Sequence, residues 1–366
     1  VQLLRADIRV FDNKFNFLGE ISDYEEFVLV KRLTRFGEFQ ISINFAKASA
    51  RLFKVGNFIY IDKERSGIIE HIERRMGGIS DKGETLFVKG FTPEHLLSYR
   101  VTYPYPGLDS WSMVGCGESV IKALVRYNMG DLAKDINRVI PLVDFAPDEK
   151  RGKELSISTD YKKLHEEAAS AAALTGLGIK MIMDVELRKF IFDVLSGRDL
   201  TSLQTVLPPV IFSSEYDNVF SQCYTDSRVS YRNVAIVDSR RDSIGREIAF
   251  VNNEISGENR RELFVSGGSI PRGEADKQRE LGALRLNDMV HVKALDGVIN
   301  PHHSFKYGVD YKLGDIVTMK YDDITLHAPI TEVTEKWTAK DGYGLKAAIG
   351  GCVPTLIDRI LLAMHN

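Results

Sequence analysis

The 366-residue chain is 44% hydrophobic and 27% charged, the balance of a globular protein with room for about two to four domains and a substantial core. A net charge of −3 excludes the overall basic balance that favours nucleic acid or anionic lipid. Three widely spaced cysteines, Cys116, Cys223 and Cys352, exclude a disulfide framework or a CxxC site and read as buried free thiols. No apolar run reaches the roughly 18 residues of a membrane span, and Val1-Gln2-Leu3-Leu4-Arg5 lacks a secretory layout.

Residues 1–103 are predicted to be β-rich. Ala6 to Phe11 alternates, Asp12-Asn13 turns, and Phe15 to Ile21 resumes; Phe27 to Leu33 and Glu38 to Phe45 are the next strands. Ala46 to Phe53 fits one helical turn, and Gly77-Gly78 with Asp81-Lys82-Gly83 fits a hairpin tip. Thr92 and Pro93 open a short helix. This span is expected to be a first antiparallel, barrel-like β domain.

Tyr103-Pro104-Tyr105-Pro106-Gly107 breaks the pattern. Residues 104–205 then mix helix and strand. Val120, Ile121, Leu124 and Val125 keep a helical period, and a second helix is predicted from Asp160, as its cap, to Gly176. Gly178 to Asp184 and Arg188 to Val194 make a hairpin. A smaller middle α+β domain follows from that order.

Residues 206–350 return to strands, at Ser227 to Val237, Ile248 to Asn252 and Leu263 to Val265. A helix over 274–293 carries Leu281, Leu284, Leu286, Met289 and Val290 on one stripe. Residues 351–366 read as an amphipathic helical tail packed on its own domain.

Two stretches follow one plan. Val55-Gly56 to Ile61, Gly67-Ile68-Ile69-Glu70 to Glu73, and Leu86 to Gly90 make the first. Leu313-Gly314-Asp315 to Met319, Ile330 to Glu335 with Glu332 inside it, and Leu345 to Gly350 make the second. Half-buried strands in both suggest one small β domain duplicated within the chain. Three copies of such a chain would present six similar domains in a ring.

The residues offer little chemistry. No phosphate-cradling glycine motif is present, and Gly115-Cys116-Gly117-Glu118-Ser119 lacks the spacing of a nucleophile elbow. His165-Glu166-Glu167 is followed by Ala169 where a zinc helix needs histidine, and His302-His303 has no third ligand at suitable spacing. Glu70 with Glu73, and Glu332 with Glu335, fall on opposite faces of their strands and read as solvent-facing or lumen-facing acids. Lys31-Arg32 and Arg240-Arg241 read as solvated basic spots, and Trp111 and Trp337 as isolated aromatics.

The string Phe305-Lys306-Tyr307-Gly308-Val309-Asp310-Tyr311-Lys312-Leu313-Gly314-Asp315 resembles a C-terminal signature of the siphophage tail-tip or baseplate hub proteins, also called tail-associated or minor tail proteins. Ile330 to Glu335, Gly350, Phe36-Gly37-Glu38-Phe39, Gly56, Gly67-Ile68-Ile69-Glu70, Val88-Lys89-Gly90 and Gly197-Arg198-Asp199-Leu200-Thr201 extend the resemblance over nearly the whole chain. It marks Tyr307, Gly308, Asp310, Tyr311, Leu313, Gly314, Asp315, Glu332, Gly350, Gly56, Gly67, Glu70 and Gly90 as structural motif residues.

The family is similar to contractile-tail hubs. The resemblance implies a homotrimeric pseudo-sixfold ring between a hexameric tail tube and threefold tip or fibre proteins, gating the DNA channel during genome ejection and host entry. It implies distal tail and tail-tube proteins and a tape measure protein as partners, with DNA present only transiently. It further implies a virion component made in the bacterial cytoplasm, with no membrane insertion, catalysis, cofactor or metal. Wall degradation and host recognition would fall to other proteins. The alternatives are a cell-wall carbohydrate-binding or hydrolysing protein, and a hub of a tail-derived bacteriocin or injection device.

Overall fold

The computed structural model describes residues 6–76, 83–268, 270–287, 289–301 and 305–351. The expected hairpin tip at 77–82, His302-His303, Cys352 and the expected helix over 352–366 lie outside the described residues.

The chain is mainly β. Strands β1 (Ile8–Phe11) and β2 (Phe17–Ile21) form a hairpin whose turn is held by Asp12, which accepts from the backbone N–H of Lys14 and Asn16. β3 (Glu26–Arg32), β4 (Glu38–Asn44), β5 (Phe58–Asp62), β6 (Arg65–Met76) and β7 (Glu84–Phe91) follow. Phe27, Leu29, Phe39, Ile41, Ile43, Leu86 and Val88 alternate inward and make this unit's core.

The middle part comprises β8 (Trp111–Cys116), helix α1 (Gly117–Met129), β9 (Val143–Phe145), β10 (Glu154–Thr159), helix α2 (Leu164–Thr175), β11 (Gly178–Asp184) and β12 (Lys189–Leu195). Its core is continuous with Phe11, Phe15, Phe58 and Leu97 of the first unit. Helix α2 starts at Leu164, later than expected. Asp160 does not cap it, because residues 161–162 are bonded to Thr102 of the preceding segment instead. The helix ends at Gly176, whose φ of 73° forms the left-handed cap.

β13 (Ile211–Ser213) and β14 (Val219–Ser227) begin the second β unit. Between β14 and the rest of that unit lies an inserted three-stranded sheet, β15 (Val234–Asp238), β16 (Ile248–Val251) and β17 (Glu262–Val265), covered by helix α3 (Ala275–Asn287). The expected helix over 274–293 is therefore shorter, and Val292 already opens β18 (Val292–Ile299). Gly282 lets α3 settle on the insert: an added Cβ would stand 2.8 Å from Val237 and Val251. β19 (Ile316–Tyr321), β20 (Ile324–Thr338) and β21 (Gly342–Gly350) are the last elements of the described residues.

The two β units share one strand order. The first runs β3-β4-β7-β6-β5 and the second β14-β18-β21-β20-β19, and the pairing of β3 with β20 fuses them into one 13-stranded sheet. Among the described residues this sheet does not close into a barrel.

The equivalence extends to single bonds. Gly56 N–H donates to Ile69 O and Ile69 N–H to Asn57 O, at 2.8 and 2.9 Å; Gly314 N–H donates to Ile330 O and Ile330 N–H to Asp315 O, at 2.9 and 3.0 Å. A bulge follows in each, at Glu70 and at Thr331. Ile69, not Ile68, thus matches Ile330, and the sequence match of Glu70 with Glu332 is one residue out of step. Gly90 and Gly350 are likewise not equivalent, since Gly90 stands opposite Ile69 whereas Ile349 stands opposite Ile330.

A candidate assembly surface

Where β3 meets β20, side chains from both units interlock. Lys336 reaches Glu26 at 2.6 Å, and Arg32 bridges Glu332 at 2.8 Å and Glu38 at 2.9 Å. Phe27 stacks on Trp337 with ring centroids 5.0 Å apart. Beneath the sheet, Glu335 is 1% exposed and accepts two bonds from Arg65 Nε, at 2.9 and 3.0 Å, and one from the Tyr343 hydroxyl. Burial alone would lower the Arg65 pKa, but Glu335 and Asp62 raise it above the ordinary range, so the guanidinium stays charged. Lys31 sits over the Tyr307 ring, 5.3 Å from its centroid. Burial opposes its charge, and Tyr307 and Glu335 more than restore it. Lys31 and Arg32 are thus joint residues rather than a solvated spot, and Glu335 is a buried acid rather than a solvent-facing one.

The motif string builds the turn into β19. Gly308, at φ 87°, donates to Tyr311 O, and the Asp310 carboxylate accepts from Lys306 N–H. Tyr311 is fully buried against Phe212. Leu313 is packed against the second core. Asp315 accepts from the backbone of Arg198 and Lys312 and from the Arg198 guanidinium. Gly197 lies so close that an added Cβ would stand 1.8 Å from Gly314 O, so the two sequence strings Gly197 to Thr201 and Leu313 to Asp315 meet in space. In the first unit, the Phe39 ring lies over Gly67 and Gly90, where a Cβ would stand 2.5 and 2.6 Å from it. Tyr99 donates to Glu70. Gly56 and Gly350 hold φ of 86° and 95°.

One face of the large sheet covers the cores. The other presents Lys89, Thr334, Lys336 and Lys346, with Lys346 3.4 Å from Asp296. Bases stand beside acids there, Lys346 beside Asp296 and Lys336 beside Glu26, so this face is not a field of acids. Helix α3 docks elsewhere: Arg285 binds Glu167 of α2, and Glu280 accepts from Ser156 of β10.

Among the described residues, the edges of β14 and of the far part of β6 are open. Within those residues β14 pairs only with β18, and residues 71–76 of β6 pair only with β7. Sequence reading missed these edges and the Arg65–Glu335 clamp, because both depend on which strands become neighbours.

Other candidates are absorbed into packing. His165 rests against Phe36, and Trp111 is 1% exposed in the middle core. Among the described residues, no group of three His, Cys, Asp or Glu is placed to hold a metal.

Several solved structures share the fold, among them three tail proteins. The 43 kDa tail protein of prophage MuSo2 from Shewanella oneidensis aligns at TM-score 0.56 and 12% identity, over 94% of this chain and 98% of its own. The tail protein of Neisseria meningitidis MC58 aligns at 0.56 and 13%, over 94% and 96%. Prophage tail protein gp18 from Listeria monocytogenes EGD-e aligns at 0.51 and 13%, over 98% of both chains. No curated protein sequence matches. The family model of the Siphovirus ReqiPepy6 Gp37-like proteins matches residues 7–351, and the chain belongs to that family.

Proposed function

We propose that the chain is a structural hub of a phage tail tip, with three copies closing a ring of six similar β units. The observation that carries this reading is the repeated strand order within one chain, joined edge to edge at β3 and β20. Duplicated units let a threefold assembly stack on a sixfold tube. Threefold tip or fibre proteins would bind the opposite end, and a tape measure protein would pass along the axis. The likeness of the fold to three tail proteins supports a place in the virion tail.

In this ring the sheet face away from the cores lines the channel. Its paired charges, such as Lys336 with Glu26 and Lys346 with Asp296, make a near-neutral wall that neither grips nor strongly repels passing DNA. The role is structural rather than catalytic: Glu335 is tied to Arg65, and Trp337 is stacked rather than presented to a sugar.

Native mass spectrometry and electron microscopy test the reading. The expected result is a mass three times the 41.2 kDa chain and a ring with six lobes. A chain that stays monomeric and is absent from tail tips would overturn it.

A further inference from the structure

We propose that the open edge of β14 pairs antiparallel with residues 71–76 of β6 in a second copy of the chain, in the register that β3 and β20 use within one chain. The inference rests on the ring proposed for this protein and assigns its subunit contact residue by residue.

The register follows from the duplication. Leu29 stands opposite Phe39 and Phe39 opposite Gly90; Tyr224 stands opposite Leu295 and Leu295 opposite Ile349. Because Gly90 and Ile349 are equivalent, Tyr224 matches Leu29, Asp226 matches Lys31, and Cys223 matches Val28. On the other strand Arg74 matches Glu335 and Arg75 matches Lys336. Within the chain Glu335 faces Leu29 and Lys336 faces Val28. Between copies, Arg74 then faces Tyr224 and Arg75 faces Cys223.

Charge selects this pairing. Lys31 and Glu335 stand on one face of the inner joint, two register positions apart along the strands, with the Val30–Thr334 pair between them. At the proposed joint the same positions carry Asp226 and Arg74, with the signs exchanged. Pairing β14 with β20 would bring Asp226 to Glu335, and pairing β3 with β6 would bring Lys31 to Arg74. Both bring like charges together. Inner and outer joints therefore do not interchange, and a head-to-tail contact of this kind closes a ring when the rotation permits. In the single chain Arg74 contacts Glu84 and the Phe45 ring, and Asp226 contacts His291 and Tyr224. The new neighbour joins these small clusters.

Native Cys223 is exposed and provides the probe. Directly opposed residues stand about 4.5–5.5 Å apart at Cα, within the about 4.4–6.8 Å a disulfide spans. The full chain carrying Arg75→Cys, oxidised with copper phenanthroline, is expected to give linked species up to the trimer on non-reducing gels. Adding Cys223→Ser should abolish them, and Arg74→Cys, which faces the other side, should link at least ten-fold less. A trimeric sample with no Cys223-dependent link overturns the register and leaves the ring standing; a monomer with no link overturns both. Independently, Asp226→Arg or Arg74→Glu should each weaken assembly at least ten-fold, and the double exchange should recover most of it. Circular dichroism checks that each variant is folded. Unchanged assembly in both singles, or a folded double variant that fails to recover, refutes the proposal.

Discussion

Arg65 at the start of β6 binds Glu335 near the end of β20 through Nε, 2.9 and 3.0 Å from the two carboxylate oxygens, linking residues 270 apart in sequence. The pair ties together the two β units from beneath their shared sheet. Removing the cation would leave a buried carboxylate with Tyr343 as its remaining side-chain hydrogen-bond donor. Arg65→Met is expected to cost about 3–5 kcal/mol, measured by urea denaturation. Arg65→Lys should recover only part of this, since one ammonium does not reproduce the planar guanidinium that holds Glu335 and Asp62 together.

Acid sensitivity should centre on Glu118 in α1. It is fully buried and bound by Lys122 at 2.6 Å and by Arg151 at 2.8 Å, with Asp193 2.8 Å from both cations. Burial alone would raise its pKa, but the hydrogen bonds from Arg151 and Lys122 hold it well below the ordinary carboxylate range. A depressed folded-state pKa contributes stability above the unfolded value of about 4.3, and that stability is lost as pH falls towards the folded value. Glu118→Gln should cost about 3 kcal/mol at pH 7 and flatten the loss of stability between about pH 5 and 2. Thermal melts across that range measure both effects; parallel curves for the two proteins would remove Glu118 as the acid-sensitive group.

The motif glycines should separate into two classes. A Cβ at Gly90 would stand 1.9 Å from Ile68 O and 2.6 Å from the Phe39 ring, so Gly90→Ala must move the β6–β7 ladder. Gly308 has open space around it, and its φ of 87° imposes only backbone strain. Gly90→Ala should cost at least about 3 kcal/mol, the upper end of ordinary overpacking, and Gly308→Ala about 1 kcal/mol. Denaturation midpoints at unchanged slope would show the difference, and equal costs would refute it.

The strand alternation of β3, β4 and β7, the helix ending at Gly176 and the duplication itself were legible in the sequence, because each is written in local period or turn chemistry. The register of the repeat was not. Ile68 and Ile69 are both apolar, so either can be laid against Ile330 in sequence, and the bulge that both units share, at Glu70 and Thr331, leaves no sequence mark to choose between them. Glu332 and Glu335 show the consequence: they look alike in the strand, yet one reaches Arg32 at the surface and the other is buried on Arg65. The inserted sheet of β15 to β17 was read as strands of the second unit, since nothing local tells a strand which sheet it will join. The joint at Lys31, Phe27 and Trp337 was hidden for the same reason.

That joint also bears on cooperativity. Trp337 lies in the last hairpin, yet it packs within the core of the first unit and stacks on Phe27. The first unit therefore cannot keep its core when the second unfolds, and β3 would lose its partner β20 at the same step. With Trp111→Phe, Trp337 is the only tryptophan left of two and becomes a reporter of the joint. Its fluorescence transition in urea should coincide with loss of the far-ultraviolet β signal, as one cooperative step for both units. Phe27→Ala should shift both signals together, by about 3–5 kcal/mol for a fully buried aromatic. Two separated transitions would mean that the units are independently stable and that the shared sheet is a contact rather than a common core.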